Sequence, residues 1–392
     1  MRYLSDALTR FADDKFVFLT GPRQSGKTTQ AKAWLARHKG HYFNWDIAKD
    51  REAVRKLFST NVAPAAHLVL DEVHKHPRWK RNLKGLYDGL HEAISVVVTG
   101  SARLDVYQRG GDSLLGRYEH LRLHPFTIGE LVRSAGEVAP EPPADWLAVN
   151  VKSTAAPKIW ERLRRFSGFP EPYTKANALH HQRWSLRRRE LVLREDVRDL
   201  SQVKHIDLIE DLAALLPSRV GAPLSINGLR EELQVAFDTV KAWLEILDRL
   251  YYCFRLKPYS KKIARSLTKE TKLYLWDWTG IDEPGARFEN MVASHLLKSV
   301  HYWRDLGYGE YDLSYFRDRE KREVDFIITL RGAPVAAIEC KLTDTQLSPG
   351  LIRFGEWFAD VPRVQLVAVE GVHLRTKHGV VGTAADYLAG FV

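Results

Sequence analysis

Eight residues near the N-terminus have the spacing of a loop that binds phosphate. The run GPRQSGKT at residues 21–28 fits the pattern G-x-x-x-x-G-K-[ST], with an apolar run before it and a helix-like run after it. Its glycines let main-chain N–H groups face phosphate oxygens, Lys27 supplies charge for the β- and γ-phosphates, and the Thr28 hydroxyl can ligate Mg²⁺. A plain glycine turn is the alternative. The predicted ATP contacts are Gly21, Pro22, Arg23, Gln24, Ser25, Gly26, Lys27, Thr28 and Thr29.

Two acids follow the apolar run at residues 68–70. Asp71, at the end of a predicted strand, can hold Mg²⁺ through its water shell. Glu72 is placed to polarise a water that attacks the γ-phosphate. The alternative is a pair of acids that cap the next helix.

Polar residues after the apolar run at residues 95–99 could complete a hydrolytic centre. Thr99 and Ser101 are candidates to sense the γ-phosphate or to position the water, unless they form a simple turn after a strand. Arg117 is a candidate finger that reaches the phosphate bound by a neighbouring subunit, and Arg103 competes for that role. A surface arginine is the alternative for both.

A second group of acids lies near the C-terminus. Glu289 falls in a helix-like segment, Asp325 in an apolar run, and Glu339 with Lys341 at the end of another apolar run. Alternate residues of a strand share a face, so Glu339 and Lys341 should point the same way. The three acids offer oxygen ligands that suit Mg²⁺ or Mn²⁺, and Lys341 could orient or deprotonate water. The layout resembles the PD-(D/E)xK nuclease fold; a buried ion-pair group or a binding module that does not cut are alternatives.

Several motifs of the chain together resemble a broad group of bacterial and archaeal ATPases. The resemblance is carried by the phosphate loop, LDEV at 70–73, VTGS at 98–101, LLGR at 114–117, HPFTIGEL at 124–131, SGFPE at 167–171 and REDVRDL at 194–200. These relatives are AAA+-type P-loop proteins, AAA_14, with a C-terminal domain called DUF4143. The resemblance implies an AAA+ core and a winged helix, and it does not fix a substrate.

Strands and helices must alternate along the first third of the chain to bring the N-terminal motifs together. Apolar runs at 16–20, 66–70 and 95–99 alternate with helix-like stretches, which indicates a parallel sheet covered on both faces. The predicted fold class is α/β: a P-loop AAA+ core with a parallel sheet, then a winged helix and a small α/β restriction-endonuclease-like domain. The predicted domains are the AAA+ core at 1–135, a linker and helical lid at 136–204, the winged helix at 205–280 and the nuclease-like domain at 281–392.

Three helical patterns and two apolar stretches predict the winged helix. The helices fall at 205–216, 225–233 and 237–250, and the strands at 251–256 and 272–276. The basic segment at 257–272 is the predicted wing, which would contact phosphates together with the arginines of 183–189. The last helix carries three acids, so contacts to the backbone or shape of DNA are favoured over base reading. A winged helix used for packing or subunit contacts is the alternative.

The composition points to a polyanionic partner. A formal net charge of +10 and a pI near 9.4 favour nucleic acid, with a generally basic surface as the alternative. Two cysteines, Cys253 and Cys340, argue against a disulfide framework or a four-cysteine zinc site. No apolar run is long enough to span a bilayer and the N-terminus lacks a signal-peptide core, so we expect a cytoplasmic protein without membrane contact.

These observations predict an ATP-binding and ATP-hydrolysing AAA+ protein that uses Mg²⁺ and acts on DNA. We expect a homo-oligomeric ring that works as a translocase, a helicase or a junction-remodelling motor. A Mg²⁺-dependent DNA nuclease gated by ATP is one alternative. A non-enzymatic switch, in which the nucleotide controls binding of a partner protein, is another.

Overall fold

The chain forms two compact units. The computed structural model describes residues 2–100, 114–134, 137–200, 206–260 and 270–392. The first unit comprises Met1–Pro125 with Arg249–Tyr251, and the second comprises Phe126–Asp248 with Tyr252–Val392. Apart from Arg249–Tyr251, the segments predicted as lid, winged helix and C-terminal domain therefore fall in the second unit.

The first unit is built on a parallel sheet of five strands in the order β2-β3-β4-β1-β5. The strands are β1 (Phe16–Thr20), β2 (His41–Asn44), β3 (His67–Asp71), β4 (Ser95–Thr99) and β5 (Tyr118–Arg122). The three central strands are almost wholly buried, as expected of a parallel sheet covered on both faces. Parallel strands end at the same edge of a sheet, so Thr20, Asp71 and Thr99 lie along one edge.

Four helices of the described chain accompany this sheet. They are α1 (Ser5–Ala12), α2 (Lys27–His38), α3 (Ala48–Thr60) and α4 (Trp79–Leu90). A buried apolar cluster joins one face of the sheet to α3 and α4 through residues that include Phe18, Leu70, Val98, Leu57 and Leu83. The cluster fixes the strand ends that carry the predicted site residues.

The second unit begins with a helical region. Its helices are α5 (Ile128–Val132), α6 (Ala156–Phe166), α7 (Pro170–Lys175), α8 (Ala178–Glu190) and α9 (Val197–Leu200). The arginines of 183–189 lie in α8, which the π-helical segment Leu191–Asp196 joins to α9 without a break. Asn177 caps the start of α8, because its side chain accepts a hydrogen bond from the His180 N–H at 2.9 Å.

A helix-turn-helix and a two-stranded hairpin follow, in the order predicted. The elements are α10 (Ile206–Leu215), α11 (Ile226–Leu233), α12 (Phe237–Arg249), β6 (Cys253–Pro258) and β7 (Lys272–Leu275). Ser225 caps α11 by accepting a hydrogen bond from the Gly228 N–H, as its position predicts. The hairpin strands β6 and β7 are antiparallel.

The hairpin also belongs to a larger sheet. Eight strands follow the order β12-β13-β11-β10-β9-β8-β6-β7. The added strands are β8 (Tyr311–Arg317), β9 (Glu323–Leu330), β10 (Ala333–Lys341), β11 (Arg363–Val367), β12 (His373–Thr376) and β13 (Gly379–Thr383), with helices α13 (Pro284–Asp305), α14 (Pro349–Trp357) and α15 (Ala384–Leu388). The join is the parallel pairing of β6 with β8, where Lys257 faces Ser314. The predicted winged helix and C-terminal domain thus share one continuous sheet.

Two simpler expectations can be compared with these elements. Across the described ranges, no helix is both long and apolar enough to cross a membrane. Cys253 and Cys340 are free, buried thiols.

Candidate functional site

The loop between β1 and α2 has a backbone that requires glycine at both ends. Gly21 has φ 131° and Gly26 has φ 95°, both in the range that residues with a Cβ rarely adopt. A Cβ added at Gly21 would also collide with the main-chain oxygen of Leu123. The turn therefore ends at Gly26 and α2 begins at Lys27, with the helix N-terminus directed at the loop.

The side chains of the loop lie inward. Lys27 is 8% exposed, and its ammonium donates to the main-chain oxygens of Gly21 at 2.9 Å and Pro22 at 2.8 Å. The hydroxyl of Ser25 is buried and, within the described residues, has no hydrogen-bond partner. A buried polar atom without a partner is costly, and it fits a loop whose partners include a bound polar ligand.

Asp71 is the centre of a group of hydroxyls at the edge of the sheet. Asp71 is 5% exposed, and its carboxylate accepts hydrogen bonds from Thr28 Oγ1 at 3.0 Å, Thr99 Oγ1 at 2.5 Å and Tyr42 Oη at 2.6 Å. The register places Asp71 of β3 between Asn44 of β2 and Thr99 of β4. A hydroxyl beside a carboxylate is an oxygen donor set that suits Mg²⁺.

Tyr42 was not among the residues predicted from the sequence. Burial, followed by its hydrogen bond to Asp71, raises the pKa of the Tyr42 phenol above its ordinary value, so the phenol remains a donor. The strand that carries it, HYFN, is only four residues long. The signal in the sequence was a tyrosine in the short strand β2, which lies beside β3, the strand that ends at Asp71.

Glu72 lies next to Asp71 in a different environment. It has φ 59°, a left-handed conformation that turns its side chain out of the strand direction. Its Oε2 is 3.4 Å from the Lys75 ammonium and 3.6 Å from His74 Nε2. Burial raises the pKa of Glu72, an effect that the charge of Lys75 opposes. A carboxylate with a raised pKa is suited to accept a proton at neutral pH.

The other predicted residues of this site are found in different places. Thr99 contacts both acids, because its hydroxyl binds Asp71 and its main-chain oxygen accepts from the Glu72 N–H at 2.9 Å. Arg117 precedes β5, and its guanidinium pairs with Asp88 of α4 at 2.6 Å. Ser101 and Arg103 lie outside the described residues.

The C-terminal acids surround a lysine. Lys272 of β7 is fully buried, and its Nζ lies 3.1 Å from Glu289, 3.2 Å from Asp325 and 2.5 Å from Glu323. Burial by itself would lower the pKa of Lys272, but the nearby carboxylates of Asp325, Glu289 and Glu323 raise it above the ordinary value. The prediction that Lys272 belongs to a phosphate-contacting wing is wrong, because a side chain without exposure cannot reach DNA.

Glu339 and Lys341 complete this group. Lys341 Nζ lies 2.8 Å from Glu339 Oε1, so the prediction that both share a strand face is confirmed. The Asp325 N–H donates to Glu339 at 3.3 Å, and the Cys340 N–H donates to Asp325 at 2.9 Å. Burial, followed by the charge of Asp325, raises the pKa of Glu339 to about 8 and that of Glu289 to about 7.

The structure therefore brings together the predicted residues Glu289, Asp325, Glu339 and Lys341. Sequence reasoning missed Glu323, and it assigned Lys272 to a different surface. In the described part of the chain, no group of three or more histidine, cysteine, aspartate or glutamate side chains is arranged to hold a metal ion.

The predicted basic helix is only partly exposed. Arg183, Arg187 and Arg189 of α8 face solvent, whereas Arg188 is buried with its guanidinium 4.3 Å from the centre of the Phe169 ring. The wing residues Lys261, Lys262, Arg265 and Lys269 lie outside the described ranges.

Comparison with known families assigns three segments of the chain. Residues 13–132 match an AAA domain, AAA_14. Residues 158–281 match a domain of unknown function, DUF8612, and residues 284–381 match another, DUF4143. The first match contains the phosphate loop with Asp71 and Glu72, and the last contains Glu289, Asp325, Glu339 and Lys341.

Individual relatives are distant. An uncharacterized protein of Mycobacterium tuberculosis is 24% identical over 347 residues, which cover 84% of this chain and 70% of that protein. An uncharacterized protein of Methanocaldococcus jannaschii is 24% identical over 364 residues, covering 80% and 72%. Among solved structures, the RuvB Holliday junction branch migration motor of Thermotoga maritima is 19% identical, with 64% of this chain and 86% of that chain covered and a TM-score of 0.29. A TM-score this low does not establish a shared architecture.

Proposed function

The chain combines an AAA domain of the AAA_14 family with a DUF4143 domain, and from that premise we propose that it binds and hydrolyses ATP to act on DNA. One observation carries the ATPase part of the proposal. The Thr28 hydroxyl, at the start of α2, contacts the Asp71 carboxylate at 3.0 Å, and the preceding residue, Lys27, directs its ammonium into the phosphate loop.

The residues of the loop would bind the triphosphate. The N–H groups around Gly26 and the N-terminus of α2 favour an anion. The Lys27 ammonium would exchange the Gly21 and Pro22 oxygens for phosphate oxygens, which offer it a charged acceptor in place of neutral ones. The Ser25 hydroxyl would gain the partner that it lacks among the described residues.

Two acids would divide the work of hydrolysis. Thr28 and Asp71 would hold Mg²⁺, whose chemistry is to offset the charge on the phosphate oxygens during transfer. Glu72 would orient a water and accept its proton, a role that its raised pKa supports. Thr99, which contacts Asp71 through its side chain and Glu72 through its main chain, would fix their relative positions.

DNA is the partner that the charge of the protein favours. The formal net charge is +10, and α8 presents Arg183, Arg187 and Arg189 to solvent. Guanidinium groups spaced along one helix can contact successive phosphates without reading bases. We expect hydrolysis in a homo-oligomeric ring to drive DNA translocation or junction remodelling, with Arg117 released from Asp88 to reach the phosphate of a neighbour.

Steady-state hydrolysis by the full chain tests the proposal. The assay compares no DNA with duplex, single-stranded and branched DNA, each at several salt concentrations. We expect Mg²⁺-dependent turnover that one of the DNA forms stimulates, with the stimulation falling as salt rises. Stimulation should also fall in a triple variant with Arg183, Arg187 and Arg189 changed to Gln.

Two substitutions locate the activity in the loop and its acid. Lys27→Ala should abolish nucleotide binding, whereas Glu72→Gln should retain binding and lower kcat by about 10²–10⁴-fold, the usual contribution of a general base. Arg37→Ala, an exposed residue on the same helix, is the matched control and should leave both unchanged. Turnover in Lys27→Ala equal to that of the parent would contradict the ATPase proposal, and nucleotide binding without turnover under any condition would favour the switch.

A further inference from the structure

The acids of the second unit have the positions expected for a nuclease metal site, but a side chain of the chain itself lies among them. Glu289 comes from α13, Asp325 and Glu323 from β9, and Glu339 from β10. Lys272 enters from β7, the edge strand of the eight-stranded sheet. Its amine is buried, with contacts at 2.5–3.2 Å to three of the four carboxylates.

The hydrogen-bonding capacity of this amine is fully used. An ammonium has three N–H donors, and three carboxylates lie within reach, those of Glu289, Glu323 and Asp325. Each donor therefore has a carboxylate acceptor, and the buried positive charge has negative partners at close range. A buried charge is tolerated when it is both hydrogen-bonded and paired with opposite charge.

Other donors also contact the carboxylates of the cluster. Tyr274 donates to Glu289 at 2.7 Å, the Cys340 N–H donates to Asp325 at 2.9 Å, and Lys341 pairs with Glu339 at 2.8 Å. A divalent ion would need carboxylate oxygens at about 2.0–2.6 Å in place of these partners. It would also have to expel the ammonium of Lys272 from a position with no exposure to solvent.

We propose that Lys272 is a built-in cation that takes the place of a divalent metal in this carboxylate cluster. The cluster then fastens the hairpin of β6 and β7 to α13 and β9, and the C-terminal domain does not cut DNA by metal-dependent hydrolysis. The residues present do not fit a resident Mg²⁺, although their types and positions resemble those of the PD-(D/E)xK fold. This inference concerns the second unit and stands apart from the ATPase proposal.

Binding of Mn²⁺ to the full chain, counted by electron paramagnetic resonance, tests the inference. The wild-type chain and Asp325→Asn should bind equal numbers of ions, because no wild-type ion depends on Asp325. Lys272→Met should bind one additional ion, which the double variant Lys272→Met/Asp325→Asn should lose. Lys257→Met, an exposed lysine on the paired strand β6, is the matched control and should bind as the wild type does.

Two results would overturn the inference. One is a Mn²⁺ ion in the wild-type chain that Asp325→Asn removes. The other is a folded Lys272→Met that gains no ion. If Lys272→Met does not fold, crystals of the wild-type chain soaked in Mn²⁺ decide the question by anomalous scattering. A peak among the carboxylates overturns the inference, and an amine there without a peak supports it.

Discussion

The two units of this protein each combine a buried lysine with nearby acids, but the acids have different partners. Asp71 accepts hydrogen bonds from three hydroxyls, Thr28, Thr99 and Tyr42, which carry no charge. The acids near Asp325 face the ammonium of Lys272 directly. Neutral donors orient a carboxylate without cancelling its charge, so the carboxylate can still bind a cation. An ammonium supplies a carboxylate with both a hydrogen bond and a positive charge.

The contrast explains why similar residue types suit different purposes. In the first unit the lysine donates to main-chain oxygens of its own loop, and those partners can be exchanged for phosphate. In the second unit the lysine is held by carboxylates on β9 and α13, and exchange would leave buried charges unmatched. The charge on the partners of an acid or lysine, more than the acid or lysine itself, separates a ligand site from a structural ion-pair group.

The largest expected effect comes from removing the buried ammonium. Lys272→Met should lower the unfolding free energy of the second unit by about 3–5 kcal/mol, because loss of one partner leaves carboxylates buried without a counter-charge. Lys27→Met should lower that of the first unit by only about 1 kcal/mol, since it removes hydrogen bonds to neutral oxygens. Hydrogen exchange followed by mass spectrometry measures the two units separately.

Lys257→Met is the control for this comparison, because its side chain is exposed on the strand that pairs with β7. Its exchange protection should match that of the wild type. Equal losses for Lys272→Met and Lys27→Met would contradict the distinction between charged and neutral partners. Partial recovery of Lys272→Met by added Mn²⁺ would strengthen it, since the ion would restore the missing positive charge.

A buried base near a positive charge should have a lowered pKa, whereas the carboxylates around Lys272 raise the pKa of that residue. His295 of α13 is buried, and burial lowers the pKa of its imidazole to about 3, with a further contribution from the charge of Lys298. The neutral ring hydrogen-bonds through Nδ1 to the Met291 main-chain oxygen at 2.7 Å and accepts from the Ile128 N–H at 3.1 Å. In the unfolded chain its pKa would be about 6.5.

The unfolded state therefore binds a proton at His295 that the folded state excludes between these two pKa values, so the contribution of this residue to stability falls as the pH drops below about 6.5. Between pH 7 and pH 5 the contribution of His295 to the stability of the second unit should fall by about 2 kcal/mol, at about 1.4 kcal/mol per pH unit. His295→Gln, which keeps a donor and an acceptor, should remove this contribution from the pH dependence measured by urea unfolding. The exposed His373→Gln should keep the wild-type slope, and an unchanged slope in His295→Gln would rule out His295 as its source.

Local sequence patterns predicted the elements of the phosphate site because each depends on residues close in the chain. The strands before Gly21 and Glu72 are apolar runs, and the loop that follows the first of them carries its own glycines. The shared face of Glu339 and Lys341 follows from strand alternation alone. The position of Lys272 cannot be predicted from strand alternation. It depends on the pairing of Lys257 with Ser314, which are 57 residues apart in the sequence numbering. Its basic neighbours in the sequence indicated an exposed wing.

Tyr42 was missed for a related reason. Its strand is too short to give a periodic signal, and its place beside Asp71 depends on the register of β2 with β3. The consequence for function follows from one hydrogen bond, from the phenol to Asp71 at 2.6 Å. Tyr42 is therefore a positioning residue for the acid that would hold Mg²⁺.

The smallest expected effect concerns this phenol and is confined to the first unit. Tyr42→Phe leaves Asp71 with two hydroxyl donors. Loss of the third hydrogen bond should weaken the binding of Mg²⁺ by the Asp71 carboxylate by about 1 kcal/mol, because the carboxylate is less well oriented. The Mg²⁺ concentration for half-maximal ATP hydrolysis should rise about five-fold, with kcat nearly unchanged, because 1.4 kcal/mol corresponds to about a factor of ten. Tyr308→Phe, an exposed ring of the second unit, should not alter the Mg²⁺ requirement. A fall in kcat without a change in the Mg²⁺ requirement would show that the phenol serves the reaction by another route than the orientation of Asp71.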